Sequence, residues 1–340
     1  MKAQVIRSHG DLDQITFEEN WPTPTPGDGE VVIRVGACAL NYHDLFTLHG
    51  MPGIKVPMPI IMGIDMAGTV SAVGPNAGDW KEGDRVLADP LTREGRYALL
   101  GETVDGGLAE YCKVPAEQLI RLPGNVGFDK AAALPVAYGT AYRMMVTRGG
   151  LPLDGSWAGR KVFILGASGG VGTCCVQLAK LSGAEVIVAA SSQEKLDKLA
   201  ALGADHGIDY KADDFMKALH GIAGKPRITG EGGVDMIINF TGGDTWVPSI
   251  KSLKKGGSLL TCGATAGFDP KTDLRYIWTF ELNILGSNGW MREDLHALLE
   301  LVQQGRLDPP VEMSYPLEKA ADAFRALEDR TAFGKLVILP

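Results

Sequence analysis

With 340 residues, 45% of them hydrophobic and 22% charged, the chain is too long for one ordinary core and has the balance of a folded protein, which excludes a fibre or a disordered segment. A net charge of -8, with no long run of Lys or Arg, would repel a polyphosphate backbone and excludes nucleic acid as a partner. No stretch nears the roughly 18 consecutive apolar residues of a membrane-spanning helix, and the first ten residues lack the apolar core of an export signal, so a cytoplasmic protein with no membrane partner is expected.

Ala3-Gln4-Val5-Ile6 opens the chain as a strand. From Glu30 to about Pro123, short β-branched runs such as Val31-Val32-Ile33-Arg34-Val35 and Gly68-Thr69-Val70-Ser71-Ala72-Val73 are separated by Gly, Pro and Asp, the texture of an irregular, barrel-like β domain. A helical segment over 129–145 leads into apolar strands at 161–165, 185–189, 234–240, 258–262 and 283–285, with helices starting near Val171, Gln193, Asp213 and Trp246 between them. Strands this apolar are buried on both faces, as in a parallel α/β sheet. A long helix over 292–304 precedes Pro309-Pro310, and a strand at 311–315, a helix at 318–328 and a strand at 335–339 close the chain on the β domain. The predicted domains are therefore 1–125 with 310–340, and 126–309. Five scattered cysteines, Cys38, Cys112, Cys174, Cys175 and Cys262, fit reduced core thiols better than a disulfide framework. Asn239-Phe240-Thr241 matches a glycosylation pattern but sits in an apolar run and is set aside.

The strongest local signal is the strand at 161–165 running into Gly166-Ala167-Ser168-Gly169-Gly170-Val171-Gly172 and then a helix. Gly169 and Gly170 let a backbone approach a pyrophosphate, Gly172 lets the helix pack on the sheet, and the helix N-terminus offers free N–H groups and a favourable dipole to a phosphate. Ala167, Ser168, Gly169, Gly170 and Val171 are thus candidate cofactor contacts, with a tight turn holding no ligand as the alternative. The next strand ends in Ser191-Ser192, where a preference for NAD would call for an Asp or Glu on the ribose 2′-hydroxyl. No acid stands there. Ser191, Ser192 and Lys195 suit the 2′-phosphate of NADPH, or else Ser191-Ser192 serves only to cap the following helix.

The order of elements, the 167–172 turn and Ala131-Ala132-Ala133-Leu134-Pro135-Val136-Ala137-Tyr138-Gly139-Thr140-Ala141 resemble the medium-chain dehydrogenase/reductase superfamily over the whole chain. The same holds for Asn41-Tyr42-His43-Asp44, Gly63-Ile64-Asp65-Met66-Ala67-Gly68, Gly107-Leu108-Ala109-Glu110-Tyr111 and Phe333-Gly334-Lys335-Leu336-Val337. The resemblance implies a mixed α/β fold: a GroES-like irregular β-barrel domain carrying the substrate site, a Rossmann domain with a doubly wound parallel sheet carrying the cofactor, and an active cleft between them. In zinc alcohol dehydrogenases of this superfamily a Cys ligand stands where Asn41 does, a His-Glu pair stands at Ile64-Asp65, and four cysteines occupy a lobe that matches the cysteine-free 89–102. The pattern is similar to the zinc-independent branch of quinone oxidoreductases, enone and enal reductases and enoyl-thioester reductases, so no metal is expected. Arg96-Tyr97-Ala98-Leu99-Leu100-Gly101-Glu102 also resembles proteins labelled alcohol dehydrogenases that keep the lobe, which leaves that activity open, along with an unconventional metal site of His43, Asp44, His49 and Asp65.

Without a metal Lewis acid, alcohol oxidation loses a large stabilisation, whereas reduction of an activated double bond needs only fixed donors at a carbonyl oxygen and a proton source. Tyr42 and His43 are the candidate donors and Asn41 a candidate for orienting substrate or cofactor; a pocket wall, a structural histidine and a turn residue are the alternatives. Asp44 and Asp65 read as acceptors that hold loops. The resemblance adds Thr140 near the nicotinamide amide, Tyr210 near the adenosine phosphate, and contacts around Thr241, Gly263, Ala264 and Ser287. Lys335 is a further cofactor candidate, unless it is a solvated lysine. Tyr276, Trp278, Phe280 and Trp290 cluster near the 283–285 strand, an edge that pairs two subunits in relatives, so a homodimer is expected, with pocket lining as the alternative. The expected function is hydride transfer from NADPH to a small electrophile, a quinone, enone or enal; the rivals are an alcohol dehydrogenase and an NADPH-binding protein without turnover.

Overall fold

In the computed structural model, which describes residues 1–93 and 97–340, the chain divides into two units, Met1–Ala137 with Leu295–Pro340, and Tyr138–Asp294. Glu94, Gly95 and Arg96, part of the 89–102 stretch and of the motif opening at Arg96, lie outside the described residues.

The first unit is built around the strand Glu30–Ala39, whose Val31, Ile33 and Val35 point into one apolar core. Among the described residues its sheet runs in the order Leu119–Arg121, Arg85–Ala88, Asp65–Val73, Glu30–Ala39, Lys335–Leu339 and Val311–Pro316, with Tyr111–Pro115 also paired to Glu30–Ala39. Register shifts at Val32/Ile33 and Val35/Ala37 bend the central strand and give the sheet its irregular curl. The final strand pairs antiparallel with the central one, Val337 opposite Ala39 and Ile338 opposite Cys38. That register delivers Lys335 to the segment around Leu40 and Asn41.

The helix Phe128–Ala132 packs on Glu30–Ala39 and Asp65–Val73, with the Arg85 guanidinium 4.6 Å over the Phe128 ring. The first unit therefore extends to Ala137, past the 125/126 boundary read from the sequence. The helical segment predicted over 129–145 is broken: widened turns at Leu134–Tyr138 and Arg143–Arg148 flank the short helix Gly139–Tyr142. Pro135 has no N–H for an ordinary helical ladder.

The second unit is a parallel sheet in the order His206–Asp209, Glu185–Ala190, Lys161–Ile164, Val234–Ile238, Leu253–Thr261 and Asn283–Gly286. Numbered along the chain this is 3-2-1-4-5-6, the doubly wound order, and its direction reverses between Lys161–Ile164 and Val234–Ile238. The strand His206–Asp209 escaped the sequence reading because it contributes one fully apolar side chain, Ile208, to the core. Val234–Ile238 stops short of the predicted 240 because Asn239, with no exposed surface, uses its Oδ1 to accept from the N–H groups of Thr241 and Gly242 (both 3.0 Å). Its Nδ2 donates to Ser249 Oγ at 3.0 Å, so the amide is fully occupied inside the fold and unavailable to a glycan.

All five cysteines are free thiols, four of them buried and Cys262 half-buried. Burial pushes every one of them upward, Cys262 to about 12. Among the described residues no helix is long and apolar enough to cross a membrane.

Gly68 marks the tightest crossing of the first unit's central strands: a Cβ there would lie 2.2 Å from the Arg34 carbonyl oxygen. Gly68→Ala should lower stability by about 1–3 kcal/mol, the range for forcing extra volume into a packed core, with a reduced urea midpoint as the readout.

Candidate active site

Two clusters answer to the sequence candidates, one in each unit. In the second unit the strand Lys161–Ile164 turns at Gly166 (φ 66°) into the helix Gly170–Leu181. A Cβ on Gly172 would sit 2.5 Å from both Ala167 Cα and the Gly166 oxygen, so glycine is what lets the helix start against the turn. A Cβ on Gly169 would meet only the Gly166 oxygen, at 3.9 Å, leaving open space in front of the helix. No side chain caps this helix, and its first backbone bond is donated by Thr173 N to Gly169 O at 2.9 Å. The N–H groups of Gly170, Val171 and Gly172 therefore have no partner in their own helix, and a helix start of this kind fits the pyrophosphate of a dinucleotide.

Ser191, Ser192, Lys195 and Tyr210 come together at the carboxyl ends of two neighbouring strands, linked by Tyr210 N donating to Ala190 O at 3.2 Å. Ser192 Oγ accepts from Lys195 N at 3.4 Å, so Ser192 does cap the helix Gln193–Ala201, while its hydroxyl stays at the strand end. Across the topological switch, the loops after Val234–Ile238 and Leu253–Thr261 lock together through Ala266 N to Thr241 O (2.7 Å) and Gly243 N to Gly267 O (2.8 Å). Gly263, Ala264 and Ser287, with Arg143, Thr261 and Cys262, line a cavity of about 620 Å³. Ser287 Oγ is a buried polar atom with no hydrogen-bond partner among the described residues. An unpartnered hydroxyl on a residue that lines such a cavity fits a polar group of a bound ligand. Thr140 is buried on the Gly139–Tyr142 helix.

In the first unit the helix Tyr42–His49 begins at Asn41, and its entry is set by Asp44, whose carboxyl accepts from Asn41 N (2.7 Å) and Ile64 N (3.2 Å). Asn41 Nδ2 donates to Asp65 Oδ2 at 2.8 Å, and Asn41 Oδ1 accepts from Lys335 Nζ at 2.5 Å. Asp65 also accepts from Val136 N at 3.2 Å, and Lys335 Nζ reaches Leu40 O at 2.7 Å and lies 3.7 Å from Asp65. The network bears on two of the candidates. Asn41 is buried with both ends of its amide committed to this network. Lys335 is not solvated; its side chain is 2% exposed, and its ammonium bonds Leu40 and Asn41 and lies 3.7 Å from Asp65.

Burial pushes the carboxyl of Asp44 up to about 6 and that of Asp65 to about 7, against the hydrogen bonds and the Lys335 charge that favour ionisation. Burial likewise draws Lys335 below the usual lysine range, against the pull of the same carboxyls. His43 and Tyr42 lie half-buried on the outer side of this network. Tyr42 packs edge-on to Phe46 (5.4 Å between centroids), and the Arg330 guanidinium lies 5.7 Å over its ring. His43 Nε2 meets Glu102 Oε2 at 2.5 Å. The sequence reading passed over Glu102, a lone acid in a loop whose partner is 59 residues away. The four residues of the alternative metal site go to separate partners: His49 bonds Gly10 O and Glu328, His43 bonds Glu102, and the two aspartates bond backbone and Asn41. Among the described residues no group of His, Cys, Asp or Glu side chains gathers to hold a metal ion.

Residues 27–124 match the model of the alcohol dehydrogenase GroES-like domain and residues 170–304 that of the zinc-binding dehydrogenase. The chain is 34% identical to a 2-methylene-furan-3-one reductase of Solanum lycopersicum, over 100% of this chain and 79% of the relative. It is 31% identical to an acryloyl-coenzyme A reductase of Sulfurisphaera tokodaii, over 95% and 96%. A solved NAD-dependent alcohol dehydrogenase superposes with a TM-score of 0.90 at 34% identity, covering both chains completely. The chain belongs to the medium-chain dehydrogenase/reductase superfamily.

The raised carboxyls carry a signature in stability. From about pH 4 to about pH 7 the folded protein holds more protons on Asp44 and Asp65 than the unfolded chain does, so their contribution is full below the ordinary aspartate value and is lost as pH rises through about 6 and about 7. Asp65→Asn should flatten the fall of urea-unfolding free energy across that window; an unchanged slope would assign the linkage elsewhere.

Proposed function

We propose that the chain is an NADPH-dependent reductase of activated carbonyl compounds that works without a catalytic zinc. The observation that carries the cofactor is the uncapped, glycine-lined N-terminus of the helix Gly170–Leu181, with Ser191, Ser192 and Tyr210 at the neighbouring strand ends and Lys195 in the first turn of the helix that follows Ser192. When bound, NADPH supplies a hydride. Ser191 and Ser192 would hydrogen-bond its 2′-phosphate, Lys195 would neutralise it, and Ser287 Oγ, with Thr140, would hold the carboxamide.

The residues at the superfamily's zinc position do not fit that ion. An amide and a carboxyl, Asn41 and Asp65, already bond each other, and the Lys335 ammonium supplies the positive charge there. Charge developing on a substrate oxygen would be met by hydrogen-bond donors, the part proposed for Tyr42 and His43. The two curated relatives are named for substrates in which an alkene is conjugated to a carbonyl, which supports the same substrate class here. The Asn283–Gly286 strand ends the sheet with one hydrogen-bonded neighbour, and Trp278 is 65% exposed nearby; this edge is proposed to pair with its counterpart in a homodimer.

NAD-dependent alcohol oxidation is the second reading, favoured by the solved neighbour of that name. Stopped-flow oxidation of NADPH and NADH by metal-analysed, chelator-treated protein, against quinones, enones, enals and acyl thioesters, separates the two. NADPH consumption with one electrophile class and no bound zinc is expected; a requirement for added zinc, or turnover only with an alcohol and NAD, would replace the first reading by the second. Ser191→Asp should lower the preference for NADPH over NADH on the order of 10-fold or more, the scale of one unfavourable charge pair, measured as a ratio of kcat/KM values.

A further inference from the structure

We propose that Glu102 is a positioning residue for proton transfer: it grips His43 by Nε2, leaving Nδ1 as the atom that delivers a proton to the reduced substrate. The proposal rests on the reductase reading above and adds the identity of the donor atom and its support.

Glu102 is almost wholly buried and His43 is not, with side chains 2% and 31% exposed respectively, so the pair has a fixed inner member and an accessible outer one. The turn that carries Glu102 is itself pinned. Glu102 N donates to Leu99 O at 3.2 Å and Gly101 N to Val104 O at 2.8 Å. Gly101 (φ 72°) lies so close to Gly63 that a Cβ would come within 2.8 Å of the Gly63 backbone. A carboxyl held this way is not free to follow a wandering imidazole; the imidazole is held to it. The 2.5 Å contact takes Nε2, and among the described residues Nδ1 has no hydrogen-bond partner. A carboxylate accepting from Nε2–H sets the tautomer and supports the imidazolium, which is the arrangement that lets the opposite nitrogen act as general acid.

The groups facing His43 are the carboxyls of Glu102 from the Leu99–Val104 turn, Asp44 from its own helix and Asp65 from Asp65–Val73, with the Phe46 ring 6.0 Å away. Tyr97 stands near enough to Glu102 to have its phenol raised, by burial first and then by that charge. Lys335 offsets Asp65 and Asp44 from behind. Burial alone would draw His43 down, but the Glu102 bond and charge, with Asp44 and Asp65, outweigh it and raise the imidazole above the usual histidine value. The ring is thereby kept as a donor further up the pH scale than a free histidine.

In the step itself, hydride addition at the β-carbon of an enone or enoyl thioester moves the alkene electron pair into an enolate. The Nδ1–H bond breaks and its proton goes to the enolate, closing the saturated carbonyl product. The neutral imidazole keeps Nε2–H on Glu102 and regains a proton at Nδ1 from water. The substrate has then taken one hydride and one proton, and NADPH has become NADP⁺.

Nitrogen-15 NMR of the histidine-labelled full-length protein tests the arrangement without turnover, with His43 assigned by its loss in His43→Gln. The neutral ring should carry its proton on Nε2, with Nδ1 the titrating nitrogen and a midpoint that falls in Glu102→Gln. A neutral ring protonated on Nδ1 would overturn the proposal in the wild-type protein alone, whether or not the buried substitution folds. In kinetics, His43→Gln should lose kcat within the roughly 10²–10⁴-fold range of a general acid. Glu102→Gln should lose about 10-fold or more in kcat with little change in KM, move the alkaline limb of the pH profile to lower pH, and be partly rescued by Glu102→Asp. A folded Glu102→Gln with an unmoved limb would reduce Glu102 to a structural role. Absence of reduction with every electrophile, while Nε2 stays protonated, would instead remove the reductase reading and leave the pairing.

Discussion

Asp65 has no exposed surface, and everything polar around it is arranged to make that tolerable. It accepts from Asn41 at 2.8 Å and from Val136 N at 3.2 Å, and lies 3.7 Å from Lys335 Nζ. A buried carboxyl costs several kcal/mol unless its partners are in place, so the three segments that supply them are bound to one geometry. Asn41 begins the helix that presents Tyr42 and His43; Val136 belongs to the kinked stretch after Phe128–Ala132; Lys335 comes from the last strand, aligned by Val337 opposite Ala39. The outer face of that helix inherits its position from the buried network at the helix start.

The second unit reaches the same precision by other means. Its candidate cofactor groups are mostly backbone: N–H groups at a helix start, and loops clamped to each other by Ala266 N to Thr241 O and Gly243 N to Gly267 O. Asn239 shapes one of these loops with its amide, and Gly172 permits the approach of helix to turn. Backbone dipoles need no rotamer to be fixed before they meet a phosphate, which suits a site for a ligand common to many reactions. Side chains on a helix, the setting of the candidates Tyr42 and His43, need their rotamers fixed by neighbours before they can act.

How far the sequence could be read follows the range of the interactions. The turn at Gly166 to Gly172 was legible because strand, glycines and helix are adjacent in the chain, and the buried strands because their apolar runs are continuous. Glu102 was not, since its meaning lies in a histidine 59 residues away. The bond between Lys335 and Asn41 was hidden for a related reason: a lysine at a strand start and an asparagine at a helix start have familiar solvent-facing roles, and only the antiparallel register of the last strand brings the two together. The edge strand His206–Asp209 carries too little apolar character for a pattern to show, because a strand at the end of a sheet is held largely by its backbone.

The burial of the thiols bears on survival as well as packing. Alkenes conjugated to carbonyls alkylate thiolates, and a protein proposed to handle them is exposed to its own substrates at high local concentration. Here Cys38, Cys112, Cys174 and Cys175 are enclosed, and even half-buried Cys262, beside the cavity, is pushed to about 12. Kept as thiols, they are poor nucleophiles, which would protect the protein from alkylation by the compounds it is proposed to reduce.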